Sequence, residues 1–295
     1  MGAAVAYRRE SRSMDYVEHW GLTEKPFEEH ASPRYFFESE DHREALDRLL
    51  YVVSDRNMSL GLLTGEIGSG KTMTAGVLAG SLSHHDYAVM HFENSAFPFE
   101  DLLYDILRRL SFRDPELASE TASLPDRGDK YQLMTTLRQR LESLIYRDKR
   151  HLVVVFDEAQ QMSAATLDEL RNLTNLTTGS DTILTMFLVG QPELRQKVRQ
   201  LKQLDQRIFL RFHLNNLDYN NTVKYVQHRL RVAGLDRGGA FTNLAYDPLF
   251  RATGGVPREI NRLCKLALTY GFAHGADEIT PEDIEVILQD LSEHG

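Results

Sequence analysis

Cysteine is almost missing from this chain: Cys264 stands alone among 295 residues. Neither an internal disulfide nor a multi-cysteine metal site can form, and a reducing compartment, the cytoplasm, is the expected location. Long hydrophobic runs are missing too. The longest, residues 152–156 and 183–190, are strand-length and far short of the roughly 20 residues a membrane-spanning helix needs, so no span is expected. Residues 1–13 are small and arginine-rich but lack the apolar stretch of a secretory signal, and they read as a flexible tail. An excess of positive charge is also absent. With 34 basic against 43 acidic side chains the net charge is -9, which counts against nucleic acid as a partner held by bulk electrostatics and leaves DNA unfavoured but open. The 11 histidines include His84 and His85 but show no H-x-x-x-H or H-E-x-x-H spacing, so no zinc site is expected. No G-x-S-x-G elbow points to a serine hydrolase.

What is present is enough apolar material, 42% of residues, to bury a large core, and a pattern that tells how. Strand-length apolar runs at 59–64, 88–93, 152–156, 183–189 and 212–217 alternate with helical periodicity at 41–55, 70–83, 99–110, 130–146 and 164–176. A polar linker with Pro115, Pro125 and Gly128 lies between the two central helices. Near-continuous apolar strands belong in a parallel sheet covered on both faces, so the fold class is α/β with a five-stranded parallel sheet between helices. Beyond residue 218 only helical patterns remain, at 220–233, 248–253, 257–274 and 281–291. The last has a clear start signal, with Thr280 as N-cap, Pro281 at the first helical position and Asp283 three residues after the cap. The expected organisation is a tail at 1–13, an α/β nucleotide-binding domain at 14–217 that includes an aromatic and proline-rich N-terminal segment, and a helical lid at 218–295.

One motif is sharp. Gly65, Glu66, Ile67, Gly68, Ser69, Gly70, Lys71 and Thr72 match G-x-x-x-x-G-K-[ST] in full, between a predicted strand and a predicted helix that continues with Met73. Glycines let backbone N–H groups turn toward phosphate oxygens, and the positive end of the helix adds a favourable field. Lys71 is placed to neutralise the β and γ phosphates of ATP, and the Thr72 hydroxyl to ligate Mg²⁺. Residues 152–156 end abruptly in Asp157 and Glu158, at the sheet edge where α/β proteins bind ligands. Asp157 suits the metal, and Glu158 the activation of a water molecule. A strand that ends in Asp-Glu is commonplace by itself; the upstream loop gives it meaning.

Three further positions are candidates. Gln191, at the end of the 183–189 strand, either reaches the γ-phosphate or is an exposed loop glutamine. Arg258 opens a helix of the lid and is a candidate for the phosphates. Arg207 and Arg211 flank the last strand; one suits an arginine finger given to a neighbouring subunit, and one suits an ion pair with Asp205. The basic run at 193–211 otherwise reads as a solvated helix face.

The sequence resembles the ExeA-like (general secretion pathway protein A-like) ATPases of the AAA+ class, which share features with transposition ATPases of the TnsC and TniB type. The likeness is carried by Trp20-Gly21-Leu22-Thr23-Glu24-Lys25-Pro26-Phe27, Ser32-Pro33-Arg34-Tyr35-Phe36, His42-Arg43-Glu44-Ala45-Leu46, the phosphate loop, Phe156-Asp157-Glu158-Ala159-Gln160, Leu188-Val189-Gly190-Gln191-Pro192-Glu193-Leu194 and Gly254-Gly255-Val256-Pro257-Arg258-Glu259-Ile260-Asn261. It implies an AAA+ P-loop fold, ATP hydrolysis with Mg²⁺, Gln191 and Arg258 as sensors of the γ-phosphate, Arg207 ahead of Arg211 as finger, and Phe27 near the adenine. Fuller members continue into a membrane span and a peptidoglycan-binding region; residues 1–295 carry neither, so an ATPase module alone is expected, working on an unidentified protein partner. A homo-oligomer, ring or helical filament, is expected. The alternative is an ATP-switched DNA-binding regulator of transposition, with Lys197, Arg199 and Lys202 lining an inner surface.

Overall fold

The computed structural model describes residues 16–28, 32–113, 124–179, 181–235 and 239–294. The expected tail and Pro115 lie outside the described residues. Among the described residues seven strands follow in chain order: β1 (Leu60–Gly65), β2 (Tyr87–Phe92), β3 (His151–Phe156), β4 (Thr177–Thr178), β5 (Asp181–Thr182), β6 (Leu184–Gly190) and β7 (Leu210–Leu214). Five make one parallel sheet in the order β2-β3-β6-β1-β7.

Side chains along each inner strand point alternately to two apolar layers, as the period of two requires. Leu60, Leu62, Leu152, Val154, Phe156, Met186 and Leu188 enter one layer, which the helices Phe99–Arg113, Lys130–Tyr146, Ala164–Leu173 and Pro192–Gln200 complete. Leu63, Val153, Val155, Phe187 and Val189 enter the other, under the helices Glu40–Ser54 and Lys71–Ser81. Burial on both faces is why these strands read as unbroken apolar runs.

Of the boundaries that differ from expectation, those of the last strand and of the helix after β3 have a visible local cause. The last strand begins at Leu210 and stops at Leu214: Asn215 and Asn216 are poor strand formers, and the Leu217 N–H leaves the ladder for the Gly255 carbonyl, 2.9 Å away. The helix expected to reach residue 176 ends at Leu173. The Thr174 hydroxyl turns back to the Arg171 carbonyl at 2.6 Å, and the chain then forms the small β4–β5 hairpin, with Gly179 at φ 63°.

The chain divides into two compact units, Ala31–Asn216, and Met1–His30 with Leu217–Gly295. The N-terminal aromatic segment, expected within the α/β domain of 14–217, is therefore split. Tyr35 is buried in the α/β unit, whereas Tyr16, Trp20 and Phe27 are buried in the helical one. The cause is a buried arginine. Arg229, on the helix Tyr219–Val232, donates to the carbonyls of Pro26 (2.5 Å) and Glu28 (2.8 Å) and to the Tyr225 hydroxyl (3.0 Å). Trp20 Nε1 donates to the Leu268 carbonyl at 2.9 Å. The helical unit also contains Tyr246–Thr253, Pro257–His274 and Pro281–His294. The last is started by Thr280 and Asp283, each accepting from the other's backbone N–H at 3.3 and 2.8 Å.

Candidate nucleotide-binding site

Strand order brings distant residues together. β6 lies between β1 and β3, with Thr64 opposite Gly190 and Phe156 opposite Leu188. The phosphate loop after β1, Gln191 after β6 and Asp157-Glu158 after β3 thus share the carboxyl edge of the sheet, where α/β folds present ligand sites.

In the loop, Gly68 and Gly70 have φ 80° and 101°, a region that side-chain-bearing residues avoid. Gly70 is constrained twice: a Cβ on it would lie 2.8 Å from His42 Nε2. His42 is 5% exposed on the helix Glu40–Ser54. Its Nδ1 is 2.7 Å from the Ser39 hydroxyl and its Nε2 is 3.2 Å from the Ser69 carbonyl. Burial lowers its pKa more than the Ser69 bond and the nearby Asp41 raise it. His42 belongs to a segment that carried the resemblance, yet sequence gave it no role; its helical position between buried neighbours masks a contact made 27 residues away.

Lys71, 6% exposed, begins the helix Lys71–Ser81, and its ammonium donates to the Glu66 carbonyl at 2.7 Å. The Ser69 hydroxyl is fully buried without a partner among the described residues. A curled loop holding a cation and an unused hydroxyl suits an anionic oxygen ligand.

Asp157 is 2% exposed. Burial pushes its pKa up, but His91, the Thr72 hydroxyl and the Glu158 N–H together outweigh burial and lower it, so the carboxylate is ionised at neutral pH. The Glu158 N–H donates to Oδ1 at 2.8 Å, and His91 Nε2 lies 3.6 Å from Oδ2, beyond hydrogen-bond length but close enough to attract when protonated. Thr72 and Asp157 are the two oxygen donors expected for a hard cation, and they meet. Among the described residues no cluster of three His, Cys, Asp or Glu side chains exists, so Mg²⁺ here would depend on this pair and on phosphate oxygens.

Glu158 has φ 50°, a left-handed conformation. Its Oε2 accepts from Gln160 Nε2 at 2.5 Å and from Gln191 Nε2 at 3.4 Å. Gln160 Oε1 in turn accepts from the Gln191 N–H at 3.1 Å. Sequence reading named Glu158 and Gln191 but missed Gln160, because nothing in a linear spacing shows that a side chain turns back across a sheet edge.

Lys197 corrects an expectation. Its ammonium donates to the carbonyls of Gln160 (2.7 Å) and Met162 (2.8 Å), so it anchors the turn after β3 and is not displayed beside Arg199 and Lys202 for DNA. Of the two finger candidates, Arg211 is the one paired with Asp205: it donates to Oδ1 at 2.8 Å and to the backbone carbonyl at 2.5 Å. Arg207 is exposed, and its side chain makes no hydrogen bond or ion pair among the described residues; only its backbone N–H is engaged, by the Leu204 carbonyl at 2.9 Å. Arg258 is exposed at the second position of Pro257–His274, and Phe27 is 2% exposed with Arg229 6.0 Å from its ring centre; both belong to the helical unit.

Fold and site together define an AAA+ P-loop protein. The family model for an AAA domain matches residues 55–198. Among solved structures, the fold is shared with Aeropyrum pernix ORC2 in its ADPNP-ADP complexes (TM-score 0.59, 19% identity, 88% of this chain and 70% of that one). Drosophila ORC bound to DNA is another (0.64, 16%, 99% and 70%), as is the Thermotoga maritima RuvB Holliday junction branch migration motor (0.57, 15%, 87% and 70%). Within that class the chain is similar to the ExeA-like proteins: it is 37% identical over 279 residues, 94% of its length, to General secretion pathway protein A of Aeromonas hydrophila. It spans 48% of that relative. No helix among the described residues is long and apolar enough to cross a membrane.

Proposed function

We propose that the chain binds ATP with Mg²⁺, hydrolyses it, and uses the cycle to assemble or remodel a partner complex of the secretion type that its relative's name indicates. The observation that carries the reading is the meeting, at one sheet edge, of a complete phosphate loop with an ionised Asp157 beside the Thr72 hydroxyl and a Glu158 in contact with Gln191. Gly65 to Thr72 present backbone N–H groups and the Lys71 ammonium to the β and γ phosphates; Met73 continues the helix beside them. Thr72 and Asp157 would hold Mg²⁺, which supplies withdrawal of charge from the phosphates. Glu158 takes a proton from the attacking water. Gln191 reports the γ-phosphate, and Arg258 keeps its sensor role as a proposal from the resemblance. Arg207 completes the site of a second copy in a ring or filament.

Titration with a fluorescent ATP analogue and steady-state hydrolysis test this. Lys71→Ala should weaken binding at least about tenfold, by loss of a buried charge partner for phosphate. Glu158→Gln should keep binding and lower kcat by about 10²–10⁴, the usual contribution of a general base. Chelation of divalent cations should stop turnover. Normal kcat in both variants would reject the assignment. The DNA-regulator reading has lost Lys197 as a surface contact; ATP-dependent, salt-sensitive DNA binding would restore it.

A further inference from the structure

We infer that Gln160 is the positioning residue that sets Glu158 for its chemistry and links it to Gln191. The inference rests on the ATPase reading above and names a part that neither motif nor resemblance assigned.

A carboxylate that activates water needs one oxygen held by the protein and one offered to the water. Glu158 has that asymmetry. Oε2 takes both amide donors, Gln160 at 2.5 Å and Gln191 at 3.4 Å, while no hydrogen bond to Oε1 exists among the described residues. The shorter and better donor is Gln160. A glutamine side chain on its own would be a loose support, but this one is fixed at three points. Its carbonyl oxygen accepts the Gln191 N–H at 3.1 Å, its backbone carbonyl accepts the Lys197 ammonium at 2.7 Å, and its own backbone lies in the short 3₁₀ turn Ala159–Gln161.

The seat for that carboxamide is made by an absence. Gly190, the last residue of β6, would drive a Cβ into Gln160 Oε1 and to within 3.3 Å of its backbone nitrogen. The Gly-Gln pair that ends β6 therefore has two tasks: glycine leaves room for the Gln160 carboxamide, and the next N–H fixes it. Because a planar amide cannot move its two ends independently, displacement of Gln191 toward a phosphate is passed through Gln160 to Glu158 Oε2. Lys197 holds the opposite side still.

Two substitutions in the full chain separate this role from a structural one. Gln160→Met keeps the length and removes both amide ends; Gln160→Glu keeps the oxygen that meets the Gln191 N–H and replaces the donor by an oxygen that repels Glu158. Fluorescent ATP analogue affinity and KM should stay within about twofold in both, and kcat should fall at least about tenfold, or ~1.4 kcal/mol of transition-state stabilisation. Gln160→Met combined with Glu158→Gln should be no slower than Glu158→Gln alone, because the residue acts through Glu158. A readout free of turnover is the Gln160 side-chain amide in nitrogen–proton NMR of the nucleotide-free chain, identified by its loss in Gln160→Met: its proton should move in Gln191→Ala and in Glu158→Gln. Glu158→Gln impaired with Gln160→Met turning over normally, or effects that multiply in the double variant, overturn the relay alone. Normal turnover in Glu158→Gln overturns the ATPase site and the relay with it.

Discussion

His151 begins β3, fully buried, with Nε2 2.8 Å from the Thr185 hydroxyl. Burial first, and the positive charge of Arg56 second, bring its pKa from 6.5 down to about 3. Above pH 6.5 the imidazole is neutral whether the chain is folded or not, and stability does not depend on it. Between pH 6.5 and about 3 the unfolded chain takes up a proton that the folded one refuses, so stability falls as pH falls, by at most about 1.4 kcal/mol per pH unit. The urea midpoint should decline across that window and flatten in His151→Phe; Thr185 keeps a second acceptor, the Met58 carbonyl at 3.3 Å. His42 has the same sign for the same first cause, but it also touches the phosphate loop. His42→Ala removes the contacts to Ser39 and Ser69, each hydrogen bond being worth about 0.5–1.5 kcal/mol. Nucleotide affinity should drop roughly three- to tenfold with kcat little changed, as a binding titration beside a rate measurement would show.

Arg229 decides where a whole segment goes. Hydrogen bonds to a charged group contribute about 1.5–3 kcal/mol each, and Arg229 makes two to the backbone of the Pro26–Glu28 stretch. Arg229→Met should cost about 3 kcal/mol of stability in the helical unit, seen as an earlier thermal transition. The single tryptophan, Trp20, packs there at 7% exposure, so its emission should shift to the red in the variant. That attachment was illegible in sequence: Trp20, Pro26 and Phe27 announce an irregular buried segment, but a guanidinium some 200 positions away, at Arg229, decides which core receives it. The sheet was easier. Strands buried on both faces advertise themselves, and β1, β2, β3 and β6 lie within a residue of their expected limits. The edge strand β7, half covered and paired only to β1, did not. The candidate site divides along the same line: Lys71, Thr72, Asp157 and Glu158 stand out by residue type and spacing alone, whereas the contacts of Gln160, His42 and Lys197 depend on three-dimensional neighbours.

For the molecule as a whole, Arg207 is the residue with work left undone. It is exposed two positions before Phe209, a 59% exposed aromatic, while Arg211 is engaged by Asp205. If Arg207 serves a second copy, hydrolysis per subunit should rise with protein concentration, and Arg207→Ala should lower the plateau by about 10³-fold or more, the usual worth of an arginine finger. Arg211→Ala should act mainly on stability. A rate per subunit that does not depend on concentration would remove the trans arrangement.

The place of β1 between β6 and β7 sets a timetable for synthesis. One neighbour of β1 is β6 and the other is β7, so the strand that aims the phosphate loop can be enclosed only after the ribosome has passed Leu214. Until β6 is made, Leu60, Leu62 and Leu63 have no ladder to join, and long-range parallel pairing forms slowly. The first motif to be translated is therefore among the last to take shape, and the nascent chain gains its grip on nucleotide late, when the acidic end of β3 and Gln191 are already made.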